Sequence, residues 1–253
     1  MPHLDIRAAN LGSALIIAPI FMFMIGAPAA ASANEGLTYY EMSAGYTTGD
    51  FGTTNRSDLY RISAVFGYIT PRYDLSVTVP YLILPENGGG VKKTQNGPGD
   101  IIMRGGLELL PEGLGGFSLG GSLAAKLPTA DQEKGLGTGE ADYGAFISAR
   151  QRLYKTRLFI QLGYIALGRT SSEANKGVYL YGAGVWQIIF SGEIYVSFVG
   201  RKRAIAEVED PQEIHAGFLY PLSANHAIKG GVFTGLNNGG PDYGLTMGVV
   251  NWF

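Results

Sequence analysis

The chain contains no cysteine. That excludes a structural disulfide, and it excludes a lipid anchor carried on a cysteine behind a leader. Histidine is scarce, with three residues in 253. That leaves little material for imidazole catalysis or a histidine-rich metal centre. No stretch after residue 33 holds eighteen consecutive apolar residues, so that part of the chain has no candidate membrane helix. Charge of one sign is also missing: the formal net charge is −2, which gives no reason to expect nucleic acid as a partner. There is no Walker or Rossmann motif. The run Gly88-Gly89-Gly90-Val91-Lys92-Lys93 lacks the strand-to-helix context of a phosphate cradle and reads as a loop. No cofactor is expected.

What is present is glycine, with 38 residues, and tyrosine, with 15. Glycine lets strands bend and approach closely; tyrosine suits a membrane interface, with an apolar ring and a wet hydroxyl. The N-terminus carries the one long apolar run, Ala14 to Ile25, behind Arg7. Small residues crowd from Ala27 to Ala33, and Ala31-Ser32-Ala33 is an A-x-A cleavage site. This is the layout of a secretory signal peptide over 1–33, cleaved near Ala33, with Asp5 offsetting Arg7 in a weak n-region. An uncleaved anchor is the alternative, but Pro19 and Pro28 interrupt the run. Residues 34–253 then form one domain. The segment 34–36 is too short for a plug.

The other terminus alternates. Tyr243, Leu245, Met247 and Val249 share one phase, Gly244, Thr246, Gly248 and Val250 the other, and the chain stops on Trp252-Phe253. A period of two is a strand with one greasy face. Asn251 breaks the apolar phase. Turn residues divide the rest into strands at 37–48, 58–69, 73–83, 99–110, 117–127, 141–153, 157–167, 177–188, 193–202, 212–221, 226–235 and 242–253. Each is long enough for a tilted membrane strand of roughly 9–11 residues. There are twelve, an even number, and the connections alternate long and short throughout. Long extracellular loops and short periplasmic turns are the pattern of a bacterial barrel. A membrane protein without helices must close its sheet, because lipid cannot satisfy an open edge. The expected fold is all-β: a twelve-stranded, antiparallel, up-and-down transmembrane barrel in lipid, with long loops at 85–98 and 128–140.

Strand phase assigns the faces. Ile101, Met103, Leu107 and Leu109 oppose Asp100, Arg104 and Glu108; Tyr143, Ala145 and Ile147 oppose Asp142, Ser148, Arg150 and Arg152. The strand at 177–188 is apolar on both phases. Tyr39, Tyr68, Tyr73, Tyr154, Tyr220 and Phe253 fit one aromatic girdle, and Tyr46, Tyr60, Tyr81, Tyr143, Tyr179 and Tyr243 the other. The candidate lumen lining is Arg61, Asp74, Asp100, Arg104, Glu108, Lys126, Asp142, Arg150, Arg152, Glu193, Arg201, Glu213 and Lys229. The signs nearly balance. A salt-bridged filling and a solute-selecting pore lining both fit them. Arg150 and Arg152, two residues apart on one face, could grip a carboxylate or phosphate, or simply pair with Glu108 or Asp74. Inward glycines at 120, 144 and 217 could leave a narrow path or serve strand coiling. A carboxylate metal site from Asp131, Glu133, Glu140 and Asp142 has irregular spacing; ordinary loop charge fits it better. An outer-membrane hydrolase would need a histidine beside a nucleophile on the lipid face or at the extracellular rim. His215 falls on the inward phase and His226 beside a short turn, so no enzyme is expected.

A strand ending the chain on Phe253 resembles the closing strand of bacterial outer-membrane barrels, the segment read by their assembly machinery. Two further stretches carry a family resemblance. One is Val79-Pro80-Tyr81-Leu82 with Gly97-Pro98-Gly99-Asp100 leading into Arg104 to Leu110. The other is Lys126-Leu127-Pro128-Thr129 with Gly135-Leu136-Gly137-Thr138-Gly139 and Asp142. Together they resemble a family of outer-membrane transporters named for the meta-pathway of phenol degradation, most specifically over 79–142. The resemblance implies uptake of a small, aromatic or hydrophobic solute across the outer membrane; the expected mechanism is passive diffusion through a narrow polar lumen in the outer membrane of a Gram-negative bacterium. It implies no particular binding residue. A closed barrel with a structural or surface-binding role is the alternative.

Overall fold

The computed structural model describes residues 36–51, 56–85, 94–168, 177–202 and 209–253. The leader expected over 1–33 lies outside these residues, as does the centre of the glycine-rich loop at 86–93. The described residues form thirteen strands: β1 (Leu37–Gly49), β2 (Ser57–Ile69), β3 (Tyr73–Pro85), β4 (Thr94–Pro98), β5 (Ile101–Leu110), β6 (Phe117–Leu127), β7 (Asp142–Leu153), β8 (Thr156–Ala166), β9 (Val178–Ile189), β10 (Gly192–Arg201), β11 (Gln212–Pro221), β12 (His226–Gly235) and β13 (Tyr243–Trp252). Every pairing is antiparallel between neighbours, and β1 pairs with β13, so the sheet closes on itself.

Thirteen segments make twelve staves. β4 and β5 both pair with β3, β4 on its second half and β5 on its first. They are one stave broken at Gly99-Asp100. The strand expected over 99–110 therefore starts earlier, at Thr94, and part of the expected 85–98 loop is sheet. The break has a local cause. Pro80 on β3 and Pro98 on β4 lack the N–H that a continuous ladder needs. Gly99 instead donates its N–H to the Pro80 carbonyl at 2.9 Å.

Burial alternates along the strands, as the period of two requires. On β7 Asp142, Gly144 and Phe146 are buried, while Tyr143, Ala145 and Ile147 are exposed. The exposed face is a continuous apolar belt that includes Phe66, Leu75, Leu123, Ile160, Leu162, Val232 and Met247. Water would penalise a belt of this extent, whereas lipid matches it. Tyrosines mark its edges. Tyr46, Tyr60 and Tyr243 cluster where the long connections lie, and Tyr68 meets Tyr73 at the short-turn end. Tyr39 does not belong to that girdle. It points inward, hydrogen-bonded with Ser76, and its ring lies where a side chain on Gly67 would otherwise sit.

The closing seam explains an irregularity of the last strand. Asn251 faces out of register with its apolar neighbours because it pairs with His226, directly opposite on β12. Trp252 turns inward and is buried with Ala227 and Val250. The Phe253 N–H donates to the Thr38 carbonyl at 2.9 Å, and the ring stays exposed.

Candidate functional site

The barrel interior has three chemically distinct regions. At the long-loop end, the connection from β6 to β7 folds inward. Leu136 on that connection is 2% exposed and packs with Leu59, Leu82 and Ile102 of the inner wall. Beside it sits Lys126, which is fully buried. Its ammonium lies 2.7 Å from Asp142 and 3.4 Å from Asp100, and it donates to Thr138 Oγ1 at 2.7 Å. Backbone groups hold both acids in turn: Ala130 N–H donates to Asp100 at 3.0 Å and Gly168 N–H to Asp142 at 2.9 Å. Thr129 adds a brace, accepting from Ile101 N–H and donating to the Gly99 carbonyl. Gly137 must be glycine-sized here, since a Cβ would lie 2.7 Å from both Asp100 carboxylate oxygens. The two stretches that carry the family resemblance thus meet in one place, and what they build is an anchor for an inward loop.

The second region is an apolar inner wall. Ala124, Phe146, Ile165, Val178, Leu180 and Val199 form one buried cluster, with Leu167 packed against it. Phe146 lies across Gly144 and Gly163; a Cβ on Gly163 would fall 2.1 Å from its ring. The space left by the inward Gly144 is therefore filled by that ring. Nearer the short-turn end, the rings of Phe159 and Trp186 meet at a tilt with centroids 4.8 Å apart, and Tyr195 joins Trp186 at 5.3 Å. The strand with two apolar phases, β9, resolves here: Val178, Leu180 and Trp186 point in, Tyr179 and Tyr181 out.

The third region is charged and lies in the short-turn half. Arg150 pairs with Glu108. Arg104 Nη2 donates to Ser122 at 3.3 Å, and Asp74 faces both Arg104 and Arg150. A cavity of about 110 Å³ opens among them. Arg152 has a different place. It is half exposed and pairs with Glu112 in the turn between β5 and β6, so the two arginines do not form one clamp.

The remaining charged candidates also have partners. Lys229 meets Glu41 at 2.5 Å, and Glu41 also faces Arg61. Arg201 contacts Glu213 at 3.3 Å, and Glu213 in turn bonds His215 at 3.1 Å. His215 stacks on Phe233 inside the barrel, while His226 is exposed on the outer face. Glu193 faces Arg157. Sequence reasoning missed Glu41, Arg157 and Gln161, although each lies on the inward phase of its strand. The alternation of Tyr39, Glu41 and Ser43 against Met42 and Ala44 carried the signal for Glu41. On the loop surface, Asp131 pairs with Lys134 at 3.3 Å. Desolvation opposes ionisation there, and the hydrogen bonds and charge of Lys134 together outweigh it, holding the carboxyl below its usual range.

No protein-family model and no curated protein matches the chain. Solved structures do share its fold. An outer membrane channel from Pseudomonas putida F1 superposes with a TM-score of 0.65 at 13% identity, covering 90% of this chain and 98% of that one. The NanC porin aligns with a TM-score of 0.59 at 10% identity, over 84% of this chain and 98% of its own. The KdgM porin, solved in complex with disordered oligogalacturonate, gives 0.54 at 10% identity, over 86% and 99%. At such identities the likeness establishes architecture: a closed, twelve-stave barrel of the outer-membrane kind.

Proposed function

We propose that the chain is an outer-membrane channel for passive uptake of small solutes with an apolar body, aromatic ones among them. The observation that carries this reading is the apolar inner wall of Phe146, Ile165, Val178, Leu180 and Val199, continued by Phe159 and Trp186. A pore built only for hydrated solutes has a polar lining. Apolar contact and charge follow one another along the same strands, Phe146 and Arg150 on β7 and Ile165 and Gln161 on β8, which suits a solute with a greasy body and a polar end. The resemblance to the phenol meta-pathway transporters points the same way. In this reading the leader over 1–33 exports the chain, the assembly machinery recognises the strand ending in Phe253, and no step couples transport to energy. The inward charges of the third region line the path at its periplasmic end. We assign no catalytic role to His215 or His226.

The inward loop favours a second reading, a barrel closed at rest. Flux separates the two. Proteoliposomes carrying the protein should admit benzenesulfonate, an anion that the bilayer itself holds back, faster than methanesulfonate, relative to protein-free vesicles. Phe146→Ser should shrink that preference. Equal flux with and without protein, together with no single-channel conductance in planar bilayers, sinks the channel reading and leaves the closed barrel.

A further inference from the structure

Among the described residues, three that are not glycine have a left-handed backbone: Phe51, Tyr154 and Phe190, with φ of 52°, 57° and 54°. Two of them occupy the same kind of place. Tyr154-Lys155 joins β7 to β8 and Phe190-Ser191 joins β9 to β10, each a two-residue turn closed by one strand pair, Leu153 with Thr156 and Ile189 with Gly192. In both turns the first residue alone is left-handed, a position that glycine fills without strain and an aromatic residue does not. Since β8 pairs with β9, the two turns are neighbours on the short-turn rim. Neither ring is packed away: Tyr154 is 86% exposed and Phe190 96%. Packing within the barrel gains nothing from two exposed rings on strained backbone, which points to a role outside it.

The rings belong to a longer apolar arc. Leu114, in the turn between β5 and β6, is fully exposed, and so is most of Leu222, in the turn between β11 and β12. At the strand ends leading into these turns the in-out alternation fails: Leu109 and Leu110 are both exposed, as are Leu153 and Tyr154, and Ile188 and Ile189. Apolar surface therefore passes from the outer belt round the strand ends to the turns. Gln151 and Gln187 interrupt it on the outward phase, and both turn their amides to the protein. Gln151 Nε2 donates to the Gly115 carbonyl at 2.6 Å; Gln187 Nε2 donates to the Ile188 carbonyl at 3.1 Å, and its Oε1 accepts from Thr156 at 2.6 Å. The turn between β2 and β3 is different. Thr70-Pro71-Arg72 carries no large apolar side chain, and Thr70 Oγ1 accepts from the N–H groups of Arg72 and Tyr73.

Charge selects the occupant. Glu112 and Arg152 pair with each other on this arc. Lys155 is then its surplus cation, with the ammonium 5.7 Å from the centroid of the Tyr154 ring. Aromatic rings beside a cation, on an apolar base, match the layer where lipid phosphates and glycerol lie over the acyl chains. Short turns lie on the periplasmic side. We infer that this arc docks in the headgroup layer of the inner leaflet, with phospholipid and not periplasmic water around Tyr154 and Phe190. The inference rests on the barrel's spanning a bilayer and not on any solute crossing it.

The chain has no cysteine, so single nitroxide labels can be placed on it. Ser191→Cys beside Phe190 and Pro71→Cys on the polar turn each take one, with the full barrel in nanodiscs of phosphatidylethanolamine and phosphatidylglycerol. A water-soluble nickel chelate should relax the label at 71 and lose most of its effect at 191, where oxygen dissolved in lipid should act instead. Adding Tyr154→Ser and Phe190→Ser should restore the nickel effect at 191. On the unaltered protein, the rings of Tyr154 and Phe190 should show NOEs to lipid glycerol protons, a readout that stands even if a variant does not fold. Equal nickel access at 71 and 191, or rings with NOEs to water alone, overturns the docking. Nickel access at 191 that is open in nanodiscs and lost in isolated outer membranes overturns it in favour of a periplasmic protein. Absent flux in proteoliposomes with the label at 191 still shielded would remove the channel and keep this surface.

Discussion

Lys126 and Arg150 are both inward cations facing acids, yet they sit in opposite kinds of surroundings. Lys126 is wholly buried between two aspartates, and each aspartate is fixed by a backbone N–H. Arg150 and Glu108 are each about one-fifth exposed, and they edge a cavity. The first cluster is closed to solvent and holds a loop in place. The second is reached by solvent from the cavity side. Charge in this barrel therefore sits in two settings, and the difference lies in how completely solvent is shut out: the Lys126 cluster is dry and the Arg150 pair is wet.

The largest effect should come from breaking the first cluster. Lys126→Met leaves Asp100 and Asp142 buried with no cation between them, and removing one partner of a buried ion pair costs about 3–5 kcal/mol. Urea unfolding of the barrel in lipid or detergent should show that loss. The loop over 128–141 should become cleavable by protease, and single-channel conductance should rise as the loop leaves the interior. Unchanged stability would mean that the anchor is not holding the loop.

Leu136→Ala attacks the same loop from its apolar side. Leu136 is the buried foot of the connection, packed on Leu59, Leu82 and Ile102. Truncating a fully buried leucine costs about 2–5 kcal/mol, and this site should fall near the lower end because the loop can settle inward. Protease sensitivity without a large change in the unfolding midpoint would show that the loop moves independently of the staves. A cooperative drop in both would show one unit.

The staves were legible in the sequence because lipid on one side and charge on the other force strict alternation, and because lengths of long and short connections kept phase. The break at Gly99-Asp100 was not legible as a break. Pro80 and Pro98 sit on neighbouring strands, and only the pairing of Tyr81 with Pro98 brings the two missing donors together. The interior charges could be placed on the inward phase but not paired, because pairing depends on stagger between strands. Arg150 and Arg152 illustrate this: adjacent on one face in sequence, they are divided by the end of the barrel, one inside with Glu108 and one at the rim with Glu112. The two stretches carrying the family resemblance were visible as motifs, while their meeting around Lys126 needed the register of β5 with β6 and β6 with β7.

A smaller effect should follow from Glu108→Gln in the other cluster. The pair is solvated from the cavity side, so its loss should cost only about 1–2 kcal/mol. The electrostatic consequence is the sharper readout. Removing the Glu108 carboxylate makes the cavity wall more positive by one charge. The reversal potential in a salt gradient should shift towards anions, and Arg150 should turn towards Asp74. A cost as large as that of Lys126→Met would erase the distinction between the two clusters.

The smallest effect should come from the loop's outer surface. Asp131 and Lys134 are paired at 3.3 Å, with side chains 41% and 51% exposed. The Asp131 carboxyl is held below its usual range by hydrogen bonds to Lys134 and by its charge. A carboxylate whose folded value is depressed contributes its stabilisation above the unfolded value, about 3.9. That contribution disappears only as the pH falls through the folded value. At neutral pH it is therefore fully present, yet solvent screens it. Lys134→Ala should raise the Asp131 titration midpoint towards the ordinary range, as followed by carboxyl carbon shifts. The backbone N–H of residue 134 still donates to Oδ1, so part of the depression should remain. The unfolding midpoint at neutral pH should not move and the loop should stay protected from protease. Release of the loop by this substitution would show that the surface pair, and not Lys126 between its two aspartates, holds the connection inside the barrel.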